Sequence, residues 1–369
     1  MKTAVFGYGT VGKGIEKLLT KDPHLDIKYI FVRKEKECLP YLTNDLEGIV
    51  NDPEIGIVFE CLSGTDPADT VIRKALTNGK HVISANKMVL AQHLTEYMAI
   101  AQQHKGTLQI EASVAAGIPF IDALLKVRRF EEIKGFEGIF NGTTNFMLNR
   151  MSEDGLSYKE ALKEAQELGY AERDPSSDVE GYDATYKAIL ASQLAYRAKA
   201  TEVLREGICA LTPADLSLAK ASGKRVKLLV SSFCENDRYA AVVCPAFLPA
   251  ESYLANTPQK LNAQLLYGES FGTLGYYGPG AGQSETAQAM IQDAYDVIED
   301  RVRPIVLDRE LTFDPSLIQS DWICRTALPL DGERLSENTY LLKDRTLEVF
   351  EEFTKLREQD PQLMFARWK

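Results

Sequence analysis

Over its first 140 residues the chain alternates short apolar runs with stretches whose apolar positions recur at helical spacing. Residues 3–6 read as a strand, and Val11, Ile15, Leu18 and Leu19 mark one face of the helix after it. Strands are predicted over 27–32, over 57–61 (ended by Ser63-Gly64), over 81–84 and over 107–111, with helices over 67–76 and 94–101. This alternation implies a parallel sheet with helices on both faces. From about Gly135 the rhythm changes. A strand closes at 138–141, one long helical stretch covers 144–168, and another helix spans 183–197. A short helix over 213–221 has Thr212 as its cap. Two hairpins follow, 224–234 with 239–244 and 263–267 with 273–277. Residues 286–298 are strongly helical, 347–356 read as a charged amphipathic helix, and the rest of the last 60 residues is mixed in pattern.

The loop Gly7-Tyr8-Gly9-Thr10-Val11-Gly12 is a G-x-G-x-x-G that follows a strand and opens a helix. In that context the glycines permit a tight turn, approach of the backbone to a pyrophosphate, and close helix–strand packing. Gly7, Gly9, Thr10, Val11 and Gly12 are therefore candidate cofactor contacts. The expected fold class is α/β: a Rossmann-type dinucleotide-binding domain over 1–134, with helix 284–300 packing back on it, then an α+β substrate-binding and dimerisation domain over 135–283. Residues 301–369 form a C-terminal extension. About 20 residues beyond the loop, where an NAD site places a carboxylate, the chain has Arg33 and Lys34. Two cations there suit the additional phosphate of NADP, so NADP is preferred over NAD.

Composition narrows the picture. A chain of 369 residues with 45% apolar and 26% charged residues is an ordinary globular protein of more than one structural unit. A net charge of −11 argues against nucleic acid and anionic membrane as partners. No apolar run reaches the ~18 residues of a membrane span, and the N-terminus carries no signal-peptide pattern. Six cysteines without a C-x-x-C suggest neither a zinc site nor a disulfide framework, and a reducing cytoplasm fits. The four histidines lie outside every polar cluster, which disfavours histidine-based chemistry.

Other motifs carry chemistry. Glu172 to Lys187 gathers five carboxylates and ends in Asp183 and Lys187, one helical turn apart. By itself this favours a solvated helix start with a surface ion pair over a substrate site with a proton-transferring lysine. Ser84-Ala85-Asn86-Lys87 leaves a strand at the carboxyl edge of the sheet. Glu111-Ala112-Ser113-Val114-Ala115-Ala116-Gly117-Ile118-Pro119 is either a small-residue turn or an oxygen cradle for a monovalent cation. Asn141-Gly142-Thr143-Thr144-Asn145 opens a helix, and Gly278-Pro279-Gly280-Ala281-Gly282 is a second glycine loop before a helix.

Taken in order, these motifs and Leu168-Gly169-Tyr170-Ala171-Glu172 resemble homoserine dehydrogenase over roughly residues 1–300. The resemblance implies reversible, NAD(P)-dependent interconversion of L-homoserine and L-aspartate 4-semialdehyde on the way to threonine and methionine, by a cytoplasmic homodimer acting on a small molecule. It implies Lys187 as proton-transferring residue and Lys87 as second active-site lysine, also at the cofactor. It places Glu172 and Asp183 at the substrate's amino end and Gly142 and Thr143 between substrate and nicotinamide. Ser63, Gly280 and Gly282 fall in cofactor loops. Glu111 with the carbonyls of Val114, Ala116 and Ile118 matches a monovalent-cation site, such as one for Na+. The sequence departs from the family at Ser63-Gly64, where two glycines are more usual, and at Ala115-Ala116, where the turn is richer in glycine. The extension 301–369 does not read as a complete ACT domain, the regulatory module of many relatives. Three rival readings need other features: a semialdehyde dehydrogenase needs a reactive thiol, for which Cys61 is the candidate; sugar and imine oxidoreductases usually show Glu-Lys-Pro where this chain has Ala85 to Met88; a dinucleotide sensor needs no lysine–carboxylate cluster.

Overall fold

The computed structural model describes residues 1–33 and 41–369. They form two compact units, one of Met1–Val127 with Pro279–Asp308, the other of Arg128–Gly278 with Arg309–Lys369. The dividing lines thus differ from those drawn on the sequence, and most of the C-terminal stretch belongs to the second unit. Lys34 lies outside the described residues.

The first unit is built on six parallel strands: β1 (Lys2–Phe6), β2 (Asp26–Phe31), β3 (Leu42–Thr43), β4 (Ile55–Glu60), β5 (His81–Ser84) and β6 (Leu108–Gln109). Their order is β3-β2-β1-β4-β5-β6. The chain runs outward from β1 to β3 and then returns to β4 beside β1. The loops at the carboxyl ends of β1 and β4 therefore leave in opposite directions, which opens the crevice where such sheets bind ligands. Helices α1 (Thr10–Leu19), α2 (Leu46–Asn51), α3 (Ala68–Thr77), α4 (Lys87–His104) and α5 (Phe120–Val127) complete the alternation. The returning helix Gln283–Ile298 packs Ala287, Met290 and Ala294 into the same core as Val5, Ile15, Leu19, Ile30, Ile57 and Phe59.

The strand expected over 107–111 is shorter than its pattern. Glu111–Ser113 is a single 3-10 turn, because Ser113 Oγ donates to the Ile110 carbonyl (2.6 Å) and the Glu111 N–H donates to Asp293 (3.1 Å). Backbone groups that would extend the ladder are already paired.

The second unit contains β7 (Gly135–Ile139), α6 (Gly142–Glu153), α7 (Tyr158–Glu167), α8 (Ser176–Val179), α9 (Tyr182–Tyr196), β8 (Leu204–Arg205), α10 (Pro213–Ala221), β9 (Lys224–Glu235), β10 (Arg238–Pro249), β11 (Leu261–Tyr267) and β12 (Thr273–Pro279). With Gln283–Ile298 as α11, it resumes through β13 (Thr312–Phe313), β14 (Gln319–Arg325), β15 (Glu333–Ser336), β16 (Thr339–Thr346), α12 (Val349–Arg357) and β17 (Met364–Trp368). Eleven strands make one mixed sheet, ordered β12-β11-β7-β9-β10-β17-β14-β16-β15, with β8 and β13 also paired to β10.

The single helix predicted over 144–168 is two. Gly155 takes the left-handed conformation (φ 69°) and Ser157 starts α7 with a capping box to Glu160, so turn and cap chemistry end α6 despite continuous helical spacing. The mixed C-terminal pattern resolves into strands that join the sheet through β17, which runs parallel to β10 and antiparallel to β14. Trp322, Phe350, Phe353 and Phe365 pack ring on ring beneath it. Glu137 on β7 is buried, yet Lys369 (2.5 and 2.6 Å) and Arg367 hold its carboxyl below the usual range against burial.

Candidate active site

In the first unit the glycine loop has the shape a dinucleotide needs. Gly7 sits at φ 106°, and a Cβ there would lie 2.7 Å from the Cys61 carbonyl. A Cβ on Gly12 would strike the Gly7 carbonyl, whereas one on Gly9 would meet nothing within 4 Å among the described residues. Gly9 is thus the open face, and α1 begins at Thr10 with no side-chain cap, leaving its first N–H groups for an anion. The second glycine loop is brought to the first: Gln283 Nε2 donates to the Thr10 carbonyl (3.0 Å), and Gly282 (φ 143°) heads α11. Arg33, at the end of β2, donates to the carbonyls of Ser63 (2.7 Å) and Asp66 (3.4 Å). The residues present fit a dinucleotide.

Glu60 ends β4 fully buried and organises the neighbouring loops. It accepts the Leu62 N–H (2.8 Å) and the Ser84 hydroxyl (2.6 Å). Asn86 donates to the Leu62 (3.2 Å) and Gly64 (2.7 Å) carbonyls and caps α4, whose first residue is the half-buried Lys87. Burial pushes the Glu60 carboxyl up to about 7. Cys61 beside it is pushed well above its ordinary value, by burial and by Glu60, so it is a thiol and no ready nucleophile. That removes the structural basis for the thiol-dependent rival.

Glu111 uses both carboxylate oxygens on the first turn of α5, accepting the Ile121 (3.1 Å) and Asp122 (2.6 Å) N–H groups. Burial drives it well above its normal pKa and raises Asp293, which accepts the Glu111 N–H, to about 8. Ala115 and Ala116 both lie in the left-handed region (φ 59° and 39°). The Ile118 carbonyl already accepts from Phe120 (2.7 Å). Among the described residues no group of three or more His, Cys, Asp or Glu could hold a metal ion.

In the second unit, β7 ends beneath the start of α6 and delivers Phe140 and Asn141 to α9. Lys187, one turn along α9 from Asp183, is buried. Its ammonium donates to Asp183 Oδ2 (2.8 Å) and to the Phe140 carbonyl (2.6 Å). Asn141 caps α6 by accepting the Thr144 N–H (2.8 Å). Its amide nitrogen donates to both Asp183 (2.8 Å) and Asp178 (2.7 Å). Thr143 donates to the Tyr170 carbonyl (2.6 Å), and Lys260 Nζ stands 4.5 Å from the centre of the Tyr170 ring. Glu172, two residues beyond, is exposed. Gly142 has no room for a Cβ, which would strike the Lys260 carbonyl. The structure therefore brings Lys187, Asp183 and Asn141 into one cluster and ties Thr143 to the segment carrying Glu172.

Asp178, Asn141 and Glu60 were absent from the sequence-based site. Asp178 belonged to the carboxylate run, but it sits on the one-turn α8, which leaves no periodicity in the sequence. Glu60 lay at the end of an apolar run and was masked by it.

A parallel sheet in the order above, with an open glycine loop, and a second unit bearing a buried lysine–aspartate pair define a nicotinamide-dependent oxidoreductase. The family model for the homoserine dehydrogenase NAD-binding domain matches residues 7–111, and that for homoserine dehydrogenase matches 119–295. Homoserine dehydrogenase of Synechocystis is 36% identical over 318 residues, 81% of this chain and 73% of that protein. A homoserine dehydrogenase structure from Thiobacillus denitrificans superposes with a TM-score of 0.89 at 30% identity, covering all of this chain and 98% of that one. A hyperthermophilic archaeal homoserine dehydrogenase in complex with NADPH, 24% identical, has the same fold (TM-score 0.72; 82% of this chain, 99% of that one). The chain belongs to the homoserine dehydrogenase family: an oxidoreductase that interconverts L-homoserine and L-aspartate 4-semialdehyde with a nicotinamide dinucleotide. No helix among the described residues is long and apolar enough to cross a membrane.

Glu60 generates a stability prediction. Its folded pKa, about 7, lies above the unfolded 4.5, so the folded state binds this proton more tightly. The stabilisation is full below pH 4.5 and is lost as pH rises through 7. Glu60→Gln mimics the protonated form and should gain on the wild type by up to roughly 3 kcal/mol between pH 5 and pH 8 in urea unfolding. An unchanged difference between the two pH values would show that ionisation of Glu60 carries no cost.

Proposed function

We propose that Lys187 is the proton-transferring residue of homoserine oxidation and semialdehyde reduction. The observation that carries this reading is its buried ammonium, aimed by Asp183 and the Phe140 carbonyl, which leaves one N–H for a substrate oxygen. In the oxidative direction the amine form of Lys187 takes the hydroxyl proton as the O–H bond breaks; in the reductive direction the ammonium returns it to the new alkoxide. A bound nicotinamide supplies or accepts the hydride. Asp183 and Glu172 hold the substrate's amino end, and Asp178, joined to Asp183 through Asn141, adds a carboxylate there. Gly142 and Thr143 align substrate toward the nicotinamide, and Lys87 acts as the second lysine. The coenzyme rests on the loops of Gly7, Gly9, Thr10, Val11, Gly12, Ser63, Gly280 and Gly282. The assembly is a cytoplasmic homodimer, for which the exposed Tyr253 and Tyr277 offer apolar surface, and light scattering decides it.

Three outcomes test this reading. Lys187→Ala should lower kcat by at least ~100-fold with coenzyme KM little changed; a loss confined to coenzyme affinity would reassign the residue. NADP is preferred through Arg33, whose guanidinium is held at the end of β2 and whose charge-assisted contact with a phosphate contributes about 1.5–3 kcal/mol. Arg33→Ala should therefore weaken NADP roughly ten- to hundredfold and leave NAD within a fewfold; unchanged KM ratios would contradict this. Finally, Glu111 with the Val114, Ala116 and Ile118 carbonyls binds a monovalent cation. Support comes from two buried acids that a cation would relieve and from two consecutive left-handed alanines, each costing about 1–3 kcal/mol. At pH 8 the thermal midpoint should rise in NaCl relative to choline chloride, and not in Glu111→Gln; an equal midpoint in both salts counts against the cation.

A further inference from the structure

Lys227 lies on β9 only 1% exposed, and among the described residues no carboxylate accepts its hydrogen bonds. Its three N–H groups go to three neutral oxygens: Asn145 Oδ1 (2.8 Å), Asn149 Oδ1 (2.7 Å) and the Thr257 carbonyl (2.8 Å). Asn145 and Asn149 are successive turns on one face of α6. Each also donates into the segment 257–261, which leads into β11. Asn145 reaches the carbonyls of Thr257 (3.2 Å) and Leu261 (3.0 Å), and Asn149 those of Thr257 and Gln259 (3.3 Å each). Residues 257–261 are thereby fastened along the first turns of α6. At the helix N-terminus the fit is tight enough that a Cβ on Gly142 would strike the Lys260 carbonyl.

A buried ammonium is costly, and apolar side chains would fill this space more cheaply. Burial lowers the Lys227 pKa to about 7, with Arg225 pushing the same way and Glu153 opposing. Three acceptors nonetheless call for three donors, which only the ammonium supplies. What the lysine adds over an apolar filler is a fixed distance between three elements: the rigid β9, α6 and the 257–261 segment.

We propose that Lys227 is a positioning residue of the homoserine site, clamping α6 to residues 257–261 so that Gly142 and Thr143 are held where the substrate must lie. This rests on the placement of substrate at Gly142 and Thr143 proposed above. Lys227 itself touches no substrate. Misplacement of a binding group by about 1 Å can cost ~100-fold in rate, so a loosened clamp registers in kinetics as well as in stability.

The test is Lys227→Met in the full-length protein, assayed well below its unfolding midpoint. The homoserine kcat/KM should fall at least ~10-fold while coenzyme KM stays within about twofold. Should that variant fail to fold, Asn149→Ser removes one arm of the clamp and should lower homoserine kcat/KM by ~3-fold or more with the same selectivity. A lowered unfolding midpoint with unchanged kinetics in the folded variant overturns the positioning role. In that event Thr143→Val separates the two ideas: a loss of homoserine kcat/KM there leaves the substrate placement standing, and no loss removes it as well.

Discussion

The buried contact between Lys187 and Asp183 is the constraint around which the second unit is arranged. Two desolvated charges tolerate each other only with good geometry and with their remaining hydrogen-bonding capacity satisfied, and removing one partner typically costs about 3–5 kcal/mol. Here the end of β7 supplies the Phe140 carbonyl, the cap of α6 supplies Asn141, and α8 supplies Asp178. Phe140 contributes its backbone carbonyl, whereas Asn141 and Asp178 enter the cluster through their side chains. A pair that helical spacing alone would leave as a surface ion pair is thus buried and held in place.

The same reasoning separates what could be read from the chain and what could not. The glycine loop was legible because strand, turn and helix each leave a periodic or compositional mark, and the resulting order β3-β2-β1-β4-β5-β6 follows from simple connection rules. Lys187 and Asp183 were legible because helical spacing fixes their relation whatever the rest of the fold does. Asp178 was not, since it sits on the four-residue α8, too short to leave a period in the sequence. The break at Gly155–Ser157 was hidden by helical spacing that continued through it. The C-terminal strands were hidden because their partners β10 and β14 are far apart in sequence and only β17 joins them. Lys227 looked like one polar residue in a β-rich run, and its partners come from two other elements.

Buried charge is managed differently in the two units. In the second, Glu137 is answered by Lys369 and Arg367, Lys187 by Asp183, and Lys227 by three neutral oxygens. In the first, Glu60, Glu111 and Asp293 rest on backbone N–H groups, a hydroxyl or another acid, and burial raises all three. Carboxyls of that kind are stable as neutral acids or beside a cation, and Glu60 and Glu111 stand at the carboxyl ends of β4 and β6, the sheet edge that the dinucleotide fold uses for ligands.

The most direct measurement is a crystal structure of the protein with L-homoserine and oxidised dinucleotide bound. The substrate hydroxyl is expected within about 3.2 Å of Lys187 Nζ, with Asp183 still on that ammonium. A hydroxyl held by another group, with Lys187 turned away and paired only to Asp183, would contradict the assignment of proton transfer to this lysine.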